Sequence, residues 1–90
     1  MIRVTFFSLI RDMTKERQIE LPPAPSVKTL LHVLADRYGD AFRTKVLEGD
    51  DVSGELIVLV NGRHIAHTGG GDTPLKDGDE ISIFPVVGGG

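Results

Sequence analysis

Apolar and polar positions alternate near both ends of the chain and recur at three-and-four spacing between them. Residues 2–9 are rich in β-branched and aromatic side chains. A strand there puts Ile2, Val4 and Phe6 on one face and Arg3, Thr5 and Phe7 on the other. Residues 11–17 are polar and read as a turn or a single helical turn, and residues 18–21 form a short second strand stopped by Pro22-Pro23. The clearest helix follows. Ser26 is a good N-cap, and Gly39 stands where a helix needs a residue free to turn left-handed. Between them Val27, Leu30, Leu31, Leu34, Ala35 and Tyr38 make one apolar stripe, with Lys28, His32, Asp36 and Arg37 on the polar side. A single stripe has to be buried against another layer, so this helix is predicted to cross a sheet.

Further along, residues 40–48 give a weaker helical pattern, and Gly49-Asp50-Asp51 with Ser53-Gly54 reads as an exposed loop. Residues 56–60 are a continuous apolar run of strand length. Asn61-Gly62 is a strong hairpin signal, because both turn positions need positive φ. Residues 68–75, with three successive glycines, read as a flexible surface loop, and Lys76-Asp77-Gly78-Asp79 as a tight turn. Residues 80–84 form the last strand, with Ile81 and Ile83 inward and Ser82 and Phe84 outward, and Pro85 ends it. This order predicts the α+β class: a mixed four- to five-stranded sheet covered by one main helix, which a β-grasp satisfies. The domain is expected to span residues 1–85, followed by a flexible glycine tail over 86–90. In that topology the first and last strands lie side by side. Phe7 and Phe84 then become neighbours on the exposed sheet face and a candidate partner interface. Ile2, Val4, Phe6, Leu30, Leu34, Ile81 and Ile83 form the expected core.

Composition narrows the chemistry. The 90 residues carry a net charge of -3 with no block of like charges, so a basic nucleic-acid-binding face is not expected. There is no cysteine, which excludes disulfides, thiolate metal sites and cysteine nucleophiles. No basic stretch precedes an apolar segment of signal-peptide length, and no run approaches the ~20 apolar residues of a membrane span. The expected location is the cytoplasm, with no membrane partner. His32, His64 and His67 lack further ligands at zinc spacing and read as surface histidines; no metal site is expected. Gly69-Gly70-Gly71 lacks the lysine and hydroxyl residue of a phosphate loop. Asp72, Asp77, Asp79 and Glu80 lack calcium-loop spacing, and no serine has a nucleophile-elbow context.

The end of the chain is harder to dismiss. Val86-Val87-Gly88-Gly89-Gly90 has no polar side chain, and its glycines carry the largest ordering cost of any residue. Such a tail suits threading into a narrow channel of a partner, where any Cβ would collide. Its carboxylate, ionised at pH 7, could there attack the α-phosphate of ATP. Three stretches carry a resemblance: Val4-Thr5-Phe6-Phe7-Ser8-Leu9-Ile10-Arg11, then Val60-Asn61-Gly62-Arg63, then residues 73–85 followed by Gly89-Gly90. Together they resemble the MoaD/ThiS family of ubiquitin-like sulfur carriers, most closely its molybdopterin synthase small-subunit branch. Val86 stands where many members of that family have a second proline.

That resemblance implies a carrier that is not an enzyme by itself and binds no cofactor of its own. An E1-like adenylating enzyme uses ATP to activate Gly90, and a sulfur donor protein supplies the atom that makes the thiocarboxylate. Gly88 and Gly89 thread the channel. A larger catalytic subunit of a synthase complex then receives the sulfur for molybdopterin, the molybdenum or tungsten cofactor. Cysteine or thiamine biosynthesis, or attachment of Gly90 to target lysines as a protein modifier, are the alternatives the same tail allows.

Overall fold

The structure is a computed structural model that describes residues 1–86; Gly88, Gly89 and Gly90 lie outside the described residues. Strand β1 (Ile2–Phe6) is followed by helix α1 (Ser8–Thr14) and strand β2 (Gln18–Leu21). Then come α2 (Val27–Tyr38), α3 (Asp40–Val46), β3 (Leu47–Glu48) and β4 (Asp51–Val52). The last strands are β5 (Leu56–Val60), β6 (Arg63–His64) and β7 (Glu80–Pro85). Five of them make a mixed sheet in the order β2-β1-β7-β5-β6, and β3 and β4 form a separate ribbon. β1 runs parallel to β7, with Val4 opposite Ile81 and Phe6 opposite Ile83; the neighbouring pairs β1–β2 and β5–β7 are antiparallel. This is the β-grasp arrangement expected from the sequence.

α2 forms where the pattern placed it. The Ser26 hydroxyl accepts a hydrogen bond from the Thr29 N–H, and Gly39 closes the helix at φ 97°. Its stripe buries Val27, Leu30, Leu31, Leu34 and Ala35 against Val4, Phe6, Val58, Ile81 and Ile83 in one core. All seven core residues expected from the sequence lie in that cluster. Phe6, Tyr38 and Phe42 close one end of it: Phe6 meets each of the other two edge-on, with ring centroids 5.8 and 6.4 Å away. Tyr38 also donates to Glu16, which Arg37 approaches at 4.0 Å. Burial, and then the bond to the Glu16 carboxylate, push the Tyr38 hydroxyl up to about 12.

Three local readings are corrected. The chain leaves β1 at Phe6, so the first strand stops short of residue 9. Of the two readings of residues 11–17 the helical one holds, extended to the two turns of α1 over Ser8–Thr14. Ser8 makes the break, at φ 55°, and Ile10, fully buried, holds the helix down. The predicted exposed loop around Gly49 is the β3–β4 hairpin, in which Leu47 pairs with Val52 and Ser53 is buried. The three glycines belong to a pinned 3-10 turn over Gly70–Asp72, where the prediction was a flexible loop. Gly71 is buried there, with no room for a side chain: a Cβ would collide with the Asp51 carboxylate and press on Lys28 Cβ and Val52 Cγ2 at 3.2 and 3.3 Å. Lys28 Nζ also reaches Asp72 at 2.9 Å, fastening α2 to this turn.

Two stability measurements follow from this packing. Leu34→Ala is expected to lower the unfolding free energy by ~2–5 kcal/mol, a large share of the total for a domain this small. An unchanged denaturant midpoint would contradict the placement of α2. Gly71→Ala should cost about 1–3 kcal/mol through overpacking. Asp51 can turn aside only by giving up its bond to the Val52 N–H, and the Lys28 and Val52 contacts remain tight. A wild-type midpoint for this variant would mean that the turn is not pinned.

Candidate functional site

Strand alternation that buries one face of the sheet leaves a second face without a helix. Along it Thr5 lies opposite Ser82, Ser82 opposite Leu59, and Phe84 opposite Ile57. All are half-buried, as is Phe7. Phe7 follows the end of β1, and its N–H donates to Ile83 O at 3.1 Å, which carries it alongside β7. Its ring stacks on Phe84 at 4.3 Å between centroids and 8° between planes. The two aromatics expected to be neighbours are therefore in contact. Ile57 and Leu59 extend the same apolar row. They were missed because the continuous apolar run over 56–60 hides its alternation, although that run is itself the signal: both faces of β5 are apolar.

The backbone carries Val86 to the edge of this sheet, just past the end of β7. Leu56 pairs with Pro85, and the Val86 N–H donates to Glu55 O at 2.9 Å, one hydrogen bond beyond β7. Val86, the last described residue, is exposed. Val86 thus stands two residues after Phe84, on the strand that carries one of the stacked rings.

The opposite end of β7 is locked by polar contacts. Asp79, only 4% exposed, accepts hydrogen bonds from Asn61 Nδ2 and the Lys76 N–H, both at 2.9 Å. Asn61 returns with Oδ1 accepting from the Glu80 N–H at 2.9 Å. Asn61 at φ 52° and Gly62 at φ 83° make the predicted hairpin turn. The network joins that turn to the one before β7 and so fixes the strand's register. Burial by itself would raise the Asp79 pKa. The Lys76 N–H, the Asn61 amide and the Lys76 ammonium outweigh it and hold the carboxyl below its ordinary value. Thr68, Thr73 and Arg63 line a hollow of about 490 Å³ beside this network, at the far end of the sheet from Val86.

The histidines do not converge on a site. His32 Nε2 lies 3.1 Å from Asp50 O, and His64 Nδ1 accepts from the Ala66 N–H. The His64 and His67 rings are 6.2 Å apart. Among the described residues no three metal-ligating side chains cluster, and no helix is long and apolar enough to cross a membrane.

A β-grasp with one helix-covered face and one apolar strand face defines a ubiquitin-like protein. The pattern of the ThiS family matches residues 4–90, and the chain belongs to that family. It is 32% identical to the small archaeal modifier protein 3 of Haloferax volcanii over 91 residues, covering 99% of this chain and 98% of that one. It is 29% identical to the molybdopterin synthase sulfur carrier subunit of Escherichia coli over 94 residues, covering all of both chains. The solution structure of the Haloferax volcanii HVO 2177 protein superposes with a TM-score of 0.85 at 32% identity, covering 99% of this chain and 85% of that one.

The Asp79 network generates a pH prediction. Folding lowers this pKa, so the folded state holds the proton less readily than the unfolded chain does. The stabilisation is therefore complete above the unfolded value of ~3.9 and is lost as pH falls through the folded value. Asp79→Asn should be less stable than wild type at pH 7, with the gap closing on acidification below about pH 4. Denaturant titrations of both proteins between neutral and acid pH check this. A gap independent of pH would remove the carboxylate's charge from the account.

Proposed function

We propose that this protein is a sulfur carrier that works through the carboxylate of Gly90 and serves molybdopterin biosynthesis. The observation that carries the reading is the full-length match to the molybdopterin synthase sulfur carrier subunit. The path of the chain past a stacked aromatic pair agrees with it. In the proposed cycle Gly88 and Gly89 thread an adenylating partner of the E1-like class, and the Gly90 carboxylate attacks the α-phosphate of ATP. The products are an acyl-adenylate and pyrophosphate. A hydrosulfide-level nucleophile from a sulfur donor protein then displaces AMP and leaves a thiocarboxylate, which a larger synthase subunit uses. ATP belongs to the partner, and this chain contributes the reacting terminus and the docking face with Phe7 and Phe84.

A second reading has its own support. The 32% identity to a small archaeal modifier protein favours use of the same activated Gly90 to acylate a lysine amine on another protein. Intact mass from the native host separates the two: a gain of about 16 mass units marks replacement of oxygen by sulfur, and the added mass of a second polypeptide marks conjugation.

ATP–pyrophosphate exchange with the adenylating enzyme tests the common step. An extended residue spans ~3.3–3.6 Å, so deleting Gly90 withdraws the carboxylate by about that distance. Displacement of ~1 Å can already cost ~100-fold in rate. The deletion and a one-residue extension after Gly90 should both fall to near background with melting temperature unchanged. Wild-type exchange by both would overturn the assignment of Gly90.

A further inference from the structure

The chain has ten lysine and arginine residues. Six are held in ion pairs among the described residues. The other four are Arg11, Lys15, Arg17 and Arg63. Three of these fall within one short stretch, from the outer side of α1 to the start of β2, and all three are exposed. Together with Asp12 and Glu16 they line one open hollow of about 410 Å³. Glu16 is already engaged by Tyr38 and Arg37. Three of the four cations without an ion pair among the described residues therefore stand in one place, on a protein of net charge -3.

That place is next to the docking face. The Phe6 N–H donates to Arg17 O at 2.8 Å, α1 packs against β7, and Phe7, the residue before α1, carries the stacked ring. The cations thus stand at the end of the sheet where β7 finishes, whereas Arg63 is at the far end, by the Asn61-Gly62 turn. We propose that Arg11, Lys15 and Arg17 dock an acidic protein surface bordering the channel that receives the tail, and set the rate at which the carrier finds that partner. This rests on the reading that the tail is used inside a partner.

An acidic protein surface fits better than a polyphosphate chain or RNA. Asp12 and Glu16 share the hollow, and carboxylates there repel a uniform run of phosphates while pairing with the mixed charges of a protein rim. Two of the three cations are arginines, whose planar fork suits bidentate pairing with carboxylates. Exposed charges of this kind act mainly on association, which steering can raise by ~10–10³, and their effect is screened by salt.

Two experiments on the intact chain decide the matter. The first measures association with the adenylating enzyme by stopped flow, comparing Arg11→Glu/Lys15→Glu/Arg17→Glu with a charge-matched Lys28→Glu/Arg43→Glu/Arg63→Glu control. The patch variant should associate at least about tenfold more slowly at low salt, dissociate at a rate within about twofold of wild type, and converge with wild type near 0.5 M salt. The control, with the same net charge, should stay within about threefold of the wild-type rate. Equal slowing of both variants, or of neither, overturns the proposal. The second experiment follows backbone amides by NMR during titration with hexaglutamate and, separately, with an oligouridylate RNA. Salt-sensitive shifts confined to residues 11–17 with hexaglutamate support it; no shifts, shifts spread over the surface, or tighter binding of the RNA overturn it. This arm needs no adenylating enzyme. If wild type shows no exchange activity, the reading of Gly90 fails while the patch is still decided.

Discussion

The parallel pairing of β1 with β7 is the contact on which the other arrangements depend. Parallel neighbours cannot be joined by a tight turn, so everything between Phe6 and Glu80 has to act as a crossover that returns the chain beside its own beginning. The pair sits in the middle of the sheet, flanked by β2 and β5, and contributes Val4, Phe6, Ile81 and Ile83 to the buried face. Main-chain bonds from Arg3 N–H to Asp79 O and from Gly78 N–H to Met1 O, both 3.0 Å, tie the start of one strand to the turn before the other. Closing so long a loop is entropically costly, and the cost grows only slowly with length. The helix-covered core is what repays it.

The same pairing turns a folding constraint into a positioning device. Because β7 runs parallel to β1, the end of β7 lies beside Phe7 and the start of α1. The Asp79–Asn61 network stops β7 from sliding. A slip of one residue would exchange its faces, sending Ile81 and Ile83 outward and Phe84 into the core. The aromatic stack and the position of Val86 beside β5 are therefore placed by one strand register, and a register error would lose both together.

Much of this was legible in the sequence, for reasons that can be named. α2 announced itself because cap, stripe and stop residue agree, and Asn61-Gly62 because its backbone geometry has few alternatives. The contact of Phe7 with Phe84 followed from alternation once the two strands were adjacent. α1 was not legible in full. It has no side-chain cap, and its main anchor in the core is Ile10, so it forms because tertiary packing overrides a weak local preference. The β3–β4 ribbon is too short for any period to show. The glycines at 69–71 were misread because glycine marks both freedom and close approach, and only the packing of Gly71 against Lys28 and Val52 separates the two. The basic patch was invisible for a similar reason: the sequence shows ten cations, but ion pairing is tertiary and decides which of them are uncompensated.

On the proposed reading the two surfaces at the end of β7 have different energetic roles, and a carrier of that kind needs both. A protein that delivers an activated terminus to successive partners must bind each one specifically and then leave. Enlarging an apolar interface would mainly slow dissociation, trapping the carrier after each step. Exposed charge acts on the encounter instead, raising the rate of arrival with little effect on release. In the proposed mechanism a small stacked pair on the sheet, with cations at its margin, orients the terminus while leaving the complex short-lived. A tail used as proposed needs little affinity of its own, because once the body has docked its arrival in the channel is an intramolecular event. On this argument the size of the aromatic patch is limited by turnover, and the charge beside it compensates for that limit.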